Sequence, residues 1–334
     1  MSDAVYVRAP CRLHFGMFSF GHSDQRKFGG MGMMIDPPAV EVEIKPAARF
    51  RVSGALADRA QRFAESAASA WQLPSLPRCQ IDVRAPSDHV GLGVGTQLGL
   101  AIAVGLRRWV QLPGLSIEQL ATAVGRAKRS AVGTYGFQLG GLIVDAGFVG
   151  SALPTTSLRR TVTPAMGGDV HPTRLRRRLD IPNEWRILLV RPENQRGFAG
   201  AMETEAFARL PSVPEHVTRE LWRITDEEIL PAAERAECQG FGDAVYRFGR
   251  LAGECFAAVQ GGPFASAEIA RLVDAIRDRG VLGVGQSSWG PTVFAICCSQ
   301  VEADALSEWL RDLLAPGKHE ITISNPNNDG AVIR

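Results

Sequence analysis

Nothing in the chain reads as a membrane span, because no run reaches the ~18 apolar residues that crossing a bilayer takes. An N-terminal apolar stretch of the signal-peptide kind is missing too. The six cysteines, Cys11, Cys79, Cys238, Cys255, Cys297 and Cys298, follow no CxxC or paired zinc spacing. Buried, reduced thiols are expected, and with them residence in the cytoplasm. Neither sign of charge is in marked excess, with 37 Lys and Arg against 35 Asp and Glu. A formal net charge of +2 gives no footprint for nucleic acid. Internal repeats and low-complexity tracts are absent. What remains is an ordinary globular chain of 334 residues, long enough for two domains.

Period-two alternation marks half-buried strands. Ala4 to Ala9 reads as one. Val40, Val42 and Ile44 alternate with Glu41, Glu43 and Lys45, and Cys79, Ile81 and Val83 repeat the pattern. Helical spacing predicts helices over 57–72, from Thr96 to about Val110, and from Ile117 to Arg129. The last opens on Ser116-Ile117-Glu118-Gln119, the spacing of a capping box. Gly141 to Phe148 and Trp185 to Arg191 predict further strands. Residues 151–184, rich in proline and arginine, read as an excursion rather than core. Within them the run Arg174–Arg178 reads as a solvated patch. Helices over about 215–238, 243–259, 266–279 and 301–314, with strands 292–299 and 319–324, predict a second α+β domain.

The most informative stretch runs from Pro86 to Leu100, Pro-Ser-Asp-His-Val-Gly-Leu-Gly-Val-Gly-Thr-Gln-Leu-Gly-Leu. Alternating glycines follow a strand and open an apolar helix. Such a loop exposes backbone N–H groups, and the helix dipole adds positive potential. Gly91, Leu92, Gly93, Val94, Gly95, Thr96 and Gln97 therefore make a candidate phosphate or diphosphate site. A tight turn with glycines chosen for packing explains the same residues.

Two more blocks accompany it. Residues 9–16 read Ala-Pro-Cys-Arg-Leu-His-Phe-Gly, and residues 283–295 read Gly-Val-Gly-Gln-Ser-Ser-Trp-Gly-Pro-Thr-Val-Phe-Ala. In order and spacing the three resemble the strand motif, phosphate loop and C-terminal glycine motif of the GHMP small-molecule kinases, over nearly the whole chain. The resemblance implies an α+β, two-domain fold: a domain like ribosomal protein S5 domain 2 over 1–192, including the excursion, and a ferredoxin-like domain over 193–334. The ligand cleft is expected between them.

The kinases of that family carry serines after Gly-Leu-Gly and many place an aspartate after the third helix. Here those positions hold Val94 and Gly95, and the stretch Arg129 to Phe137 has no carboxylate. Asp145 comes later, inside a strand that reads as buried. The departures resemble one branch, β-ribofuranosylaminobenzene 5′-phosphate synthase. It shares Gly-Leu-Gly-x-Gly-Thr-Gln-Leu, Lys-Arg-Ser-Ala-Val-Gly-Thr-Tyr-Gly-Phe and Gly-Gln-Ser-Ser-Trp-Gly-Pro. That resemblance implies a pentosyltransferase joining phosphoribosyl diphosphate to 4-aminobenzoate or 4-hydroxybenzoate. CO2 and diphosphate would be lost, giving an early C-riboside of tetrahydromethanopterin. It implies Mg2+, small-molecule partners and a homodimer. An ATP-dependent kinase and a non-catalytic phosphate-ligand binder are the competing readings.

Three anionic groups need cations near the motifs. Arg12, His14, Arg126, Lys128, Arg129 and Tyr135 are the candidate catalytic residues. Capping of a helix end explains Arg126 and Lys128 equally, and a structural role explains His14. Arg26, Gln138, Arg196, Gln286, Ser287, Ser288, Trp289 and Gly290 are candidate substrate contacts, with Arg26 before a Gly29–Gly32 loop that reads as flexible. Asp88 and Glu203 are candidate metal ligands, with Glu205 beside the latter.

Overall fold

A computed structural model describes residues 4–22, 26–148, 174–193, 195, 197 and 200–334. Arg196 and residues 151–173 of the expected excursion lie outside the described residues. The chain opens on two long strands, β1 (Val5–Met17) and β2 (Gly30–Pro46), followed by β3 (Arg51–Gly54), α1 (Ala57–Ala70) and β4 (Cys79–Arg84). Then come α2 (Val94–Trp109), α3 (Ile117–Ala123), α4 (Val132–Leu139), β5 (Leu142–Asp145), β6 (Leu175–Leu179) and β7 (Arg186–Pro192). The second half holds α5 (Gly200–Arg209), α6 (Glu215–Ile224), α7 (Leu230–Glu234), α8 (Cys238–Glu254), α9 (Ala257–Gln260) and α10 (Ala267–Asp278). It closes with β8 (Gly283–Gln286), β9 (Val293–Cys297), α11 (Gln300–Leu313), β10 (His319–Pro326) and β11 (Val332–Ile333).

The strands form one connected sheet in the order β11-β1-β2-β10-β7-β9-β8, with β4 and β5 also on β2. Alternation explains the first half. Val5, Val7 and Ala9 face inward opposite Ile44, Val42 and Val40, and α2 covers them with Leu98, Ala101 and Ile102. A second core lies beneath β7, β8 and β9, where Leu188, Val190, Val284 and Val293 meet Val273, Ile276 and Leu306.

β7 pairs with β9 and β10. Several expectations need correction. Gly30–Gly32 are buried residues of β2, paired with β5, not a flexible loop. Of the run Arg174–Arg178, Arg176 and Arg177 are exposed as expected, whereas Arg174 and Arg178 are not. β6 pairs with β5, and Arg174 inserts against the buried Asp145, Nη2 to Oδ2 2.8 Å. Arg178 donates to the carbonyls of Leu139 and Asn328. Cys238 and Cys298 form a disulfide, Cα–Cα 5.5 Å, whereas Cys11, Cys79, Cys255 and Cys297 are free.

The third helix is shorter than its periodicity suggests. The capping box at its start is present, with Ser116 and Gln119 bonded reciprocally. It stops because Gly125 takes the left-handed conformation, φ 66°. The N–H of Arg126 then reaches Ala121 O at 2.7 Å and that of Gly125 reaches Thr122 O at 3.0 Å, a Schellman pair. The chain turns there and brings Arg126 back toward the glycine loop.

Candidate active site

The three motifs meet at one point through backbone and hydroxyl hydrogen bonds. On β1, the N–H of Arg12 donates to Leu92 O at 3.0 Å, and the N–H of His14 donates to Ser287 Oγ at 3.0 Å. Ser287 Oγ in turn donates to Gly91 O at 2.7 Å, and the N–H of Ser288 donates to His14 O at 3.0 Å. Ser287 is therefore a buried staple between the halves, not a contact for substrate.

Beside the staple lies a cleft of about 510 Å³. Its floor is the glycine loop from Gly91 to Thr96. No side chain caps the start of α2, which leaves its first N–H groups without a side-chain acceptor. Around it stand Arg12, Arg59, Arg62 and Arg126, against Asp88 and Glu203 as the carboxylates of the lining. Two of the glycines serve these arginines. A Cβ on Gly93 would lie 2.5 Å from Arg12 Cγ, and one on Gly95 would lie 2.3 Å from an Arg59 amino nitrogen. Both contacts are closer than real atoms approach, so bare backbone is what admits the guanidiniums. The glycines are required for packing against these two arginines, which also bring positive charge to the loop.

Arg59 is oriented by Asp88, Nη1 to Oδ2 3.1 Å, with His89 3.3 Å from the same oxygen. Arg126 stacks on Phe63, 4.9 Å from the ring centroid, and its buried Nε has no hydrogen-bond partner. Burial lowers the Arg12 and Arg126 guanidiniums to about 10, and lowers Arg59 as well. All remain cationic near neutrality, crowded and under-neutralised, which is the electrostatic state an incoming polyanion relieves.

Other candidates fall elsewhere. Lys128 is exposed and does not line the cleft. Arg129 holds Glu203 at 2.8 Å and lies over Phe207. Tyr135 is a core residue whose hydroxyl accepts from the Arg174 N–H, 3.3 Å. Gln138 is exposed on another face, and exposed Arg26 donates to Gly147 O. Gln97 is buried and donates to Gly133 O at 2.9 Å. Ser288, Trp289 and Gly290 do line the cleft. Gln286 lines a neighbouring cavity and donates to Ser288 O. His14 is buried and held well below the ordinary imidazole value, by desolvation first and Arg12 second. Its Nε2 lies 3.1 Å from Ser130 Oγ. Asp145 accepts the N–H groups of Ala131 and Gly147 besides Arg174, so it is locked as a structural carboxylate.

The metal candidates are both engaged: Asp88 with Arg59, Glu203 with Arg129 and the Trp289 indole N–H at 3.2 Å. Among the described residues no group of three or more His, Cys, Asp or Glu is placed to hold an ion. No helix there is long and apolar enough to cross a membrane.

Residues 230–315 match the family model described as GHMP kinases C terminal. Solved structures share the architecture across the chain. A homoserine kinase from Cytophaga hutchinsonii superimposes with TM-score 0.64 at 14% identity, covering 100% of this chain and 98% of that one. A mevalonate pyrophosphate decarboxylase from Streptococcus pyogenes gives 0.65 at 8%, covering 98% and 97%. At such identities they establish the GHMP kinase-like α+β fold. A protein named β-ribofuranosylphenol 5′-phosphate synthase, from Archaeoglobus fulgidus, is 31% identical over 319 residues, 94% of each chain. The chain belongs to the β-ribofuranosylphenol 5′-phosphate synthase family. A second member, from Methanothermobacter thermautotrophicus, is 26% identical over 98% of both chains.

Proposed function

We propose that this chain joins phosphoribosyl diphosphate to 4-hydroxybenzoate, releasing CO2 and diphosphate and forming β-ribofuranosylphenol 5′-phosphate, the C-riboside of tetrahydromethanopterin synthesis. The observation that carries the reading is the cleft in which Arg12, Arg59, Arg62 and Arg126 surround a glycine loop that has Val94 and Gly95 in the place of the kinase serines. The family is named for a phenol product, which favours the 4-hydroxy acid over 4-aminobenzoate.

In the reaction the ring carbon bearing the carboxylate forms a bond to ribose C1. The C1–O bond breaks, and its electron pair leaves with diphosphate. The bond to the carboxylate then breaks, its electrons restore the aromatic ring, and CO2 departs. No ring proton is removed, so no general base is needed at the ring. What the protein supplies is fixed positive potential where negative charge grows on the leaving group. The loop N–H groups and the Arg12, Arg59 and Arg126 guanidiniums do this here, and Asp88 keeps Arg59 aimed. Neutral, buried His14 positions Ser130 and takes no proton.

Mg2+ is usually held by one or two carboxylates plus substrate phosphates. Glu203 and Asp88 are the carboxylates that would hold the ion, which would supply positive charge to the diphosphate leaving group. A homodimer and a cytoplasmic home belong to the same proposal on family resemblance. The test supplies carboxyl-labelled 4-hydroxybenzoate, Mg2+ and phosphoribosyl diphosphate, with ATP replacing the latter in a control. Labelled CO2 that requires phosphoribosyl diphosphate supports the reading. Turnover of ATP without CO2 overturns it in favour of a kinase.

A further inference from the structure

The cations of the cleft stand at two levels along α2. At the first, a Cβ on Gly95 would meet an Arg59 amino nitrogen, and Arg12 Nη1 donates to Gly91 O at 3.3 Å. The second lies one turn on, about 6 Å along the helix axis. There a Cβ on Gly99 would meet Phe63 Cζ at 3.4 Å and Val124 Cγ2 at 3.2 Å. Arg62 and Arg126 belong to this second level. Arg62 adjoins Phe63 and follows Arg59 by one turn on the same side of α1. Arg126 comes just after Val124 and lies over the Phe63 ring.

The two levels also differ in their partners. Arg59 is paired with Asp88, and Arg12 is bonded to the loop. Arg62, exposed at the rim, makes no ion pair or hydrogen bond with any described residue. Arg126 makes none either, although a guanidinium carries five donors and its Nε is buried. Glu203, the other carboxylate of the lining, is taken by Arg129. Burial first and the nearby Arg59 second press the Arg126 guanidinium toward its neutral form. Two guanidiniums on one wall of a cleft, neither with a carboxylate, are relieved by an anion that bridges them.

We propose that Arg62, together with Arg126, forms a second anion subsite in this cleft, which takes the 5-phosphate of the sugar while the glycine loop takes the diphosphate. The proposal deepens the transferase reading and rests on it for the identity of the sugar. A ribose with a diphosphate at C1 and a phosphate at C5 carries anions at two ends with the ring between them, and the two levels of cations match that form. Arg126, within electrostatic range of Arg59, presents donors to both groups. Arg62 serves the 5-phosphate alone. A nucleoside triphosphate has all its phosphates at one end, so it fills the loop and leaves Arg62 unpaired. The cleft therefore selects a sugar phosphorylated at both ends, and the remote phosphate holds C1 in place for attack.

Calorimetric titration of ribose 5-phosphate into protein already saturated with Mg2+ and inorganic diphosphate tests the two subsites without turnover. Ribose 5-phosphate should bind beside the retained diphosphate, and ribose should not bind. Ribose 5-phosphate that binds only by displacing diphosphate, or fails to bind, overturns the second subsite. Arg62→Gln puts another good helix former at an exposed position, so the fold holds. It should leave diphosphate affinity unchanged and weaken ribose 5-phosphate binding roughly tenfold or more. It should lower kcat/KM for phosphoribosyl diphosphate by a similar factor, with the larger part of the loss in KM, and Arg62→Lys should recover part of it. Equal losses for diphosphate and ribose 5-phosphate overturn the separate role of Arg62. A wild type that binds ribose 5-phosphate beside diphosphate yet releases no CO2 keeps the subsite and removes the transferase. Undiminished CO2 release by Arg62→Gln, at the parent's KM for phosphoribosyl diphosphate, keeps the transferase and removes the subsite.

Discussion

Replacing Arg126 by methionine sets two opposite effects against each other. Without ligand the Arg126 Nε is buried and unpartnered, and its guanidinium lies 4.9 Å from the Phe63 centroid. A buried donor without an acceptor costs about 1–3 kcal/mol. The stacking returns about 0.5–1 kcal/mol, and methionine keeps the packing of the stem. The variant should be more stable than the parent by about 1 kcal/mol, a Tm rise of about 2 °C for a chain of this size. Toward a polyanion the sign reverses. One charge-assisted contact is worth about 1.5–3 kcal/mol, which weakens Kd by roughly ten- to 150-fold. Thermal melts of the unliganded protein and calorimetric titration with inorganic diphosphate and Mg2+ measure the two effects. A variant that melts lower and binds diphosphate as before would refute the reasoning, because Arg126 would then be a packing residue.

Arg174→Met strands the buried Asp145 carboxylate and should cost about 3–5 kcal/mol in chemical denaturation. Arg174→Met with Asp145→Leu should recover part of it, and a loss no smaller in the double variant would contradict the pairing. Gly95→Ala drives a methyl against Arg59 and away from Asp88, so affinity for phosphoribosyl diphosphate should fall roughly tenfold while the melt holds. Unaltered binding would mean that Arg59 does not reach the ligand. His14 resists protonation when folded but accepts it when unfolded. Its contribution is therefore intact above the unfolded pKa of about 6.5 and is lost as pH falls below it. His14→Gln should flatten the acid limb of a Tm-against-pH curve, and an unchanged limb would count against a buried neutral imidazole.

The glycine loop, the helix it opens and the three-motif convergence were legible because they depend on local backbone demands. Gly91, Gly93 and Gly95 announce positions where side chains cannot go, and the Gly-Gln-Ser-Ser-Trp-Gly run does the same. Arg59 and Arg62 were not legible. They lie on α1, away from the motifs in sequence, and only the fold brings them to the loop. The bare Gly95, facing Arg59, was the available signal. Arg174 failed in the opposite sense. It looked like one member of a basic run, whereas its partner Asp145 lies across a long stretch of chain. The early stop of α3 was readable at Gly125, whose αL role outweighed the helical periodicity beyond it. The pairing of Cys238 with Cys298 had no spacing signature, since only packing of α8 beside the end of β9 brings them together.

The most direct measurement counts both products of one reaction. Purified protein, Mg2+, phosphoribosyl diphosphate and 4-hydroxybenzoate should yield CO2 and diphosphate in equal amounts, with a C-linked riboside. Diphosphate release without CO2, or phosphoryl transfer from ATP to an acceptor, would contradict the account.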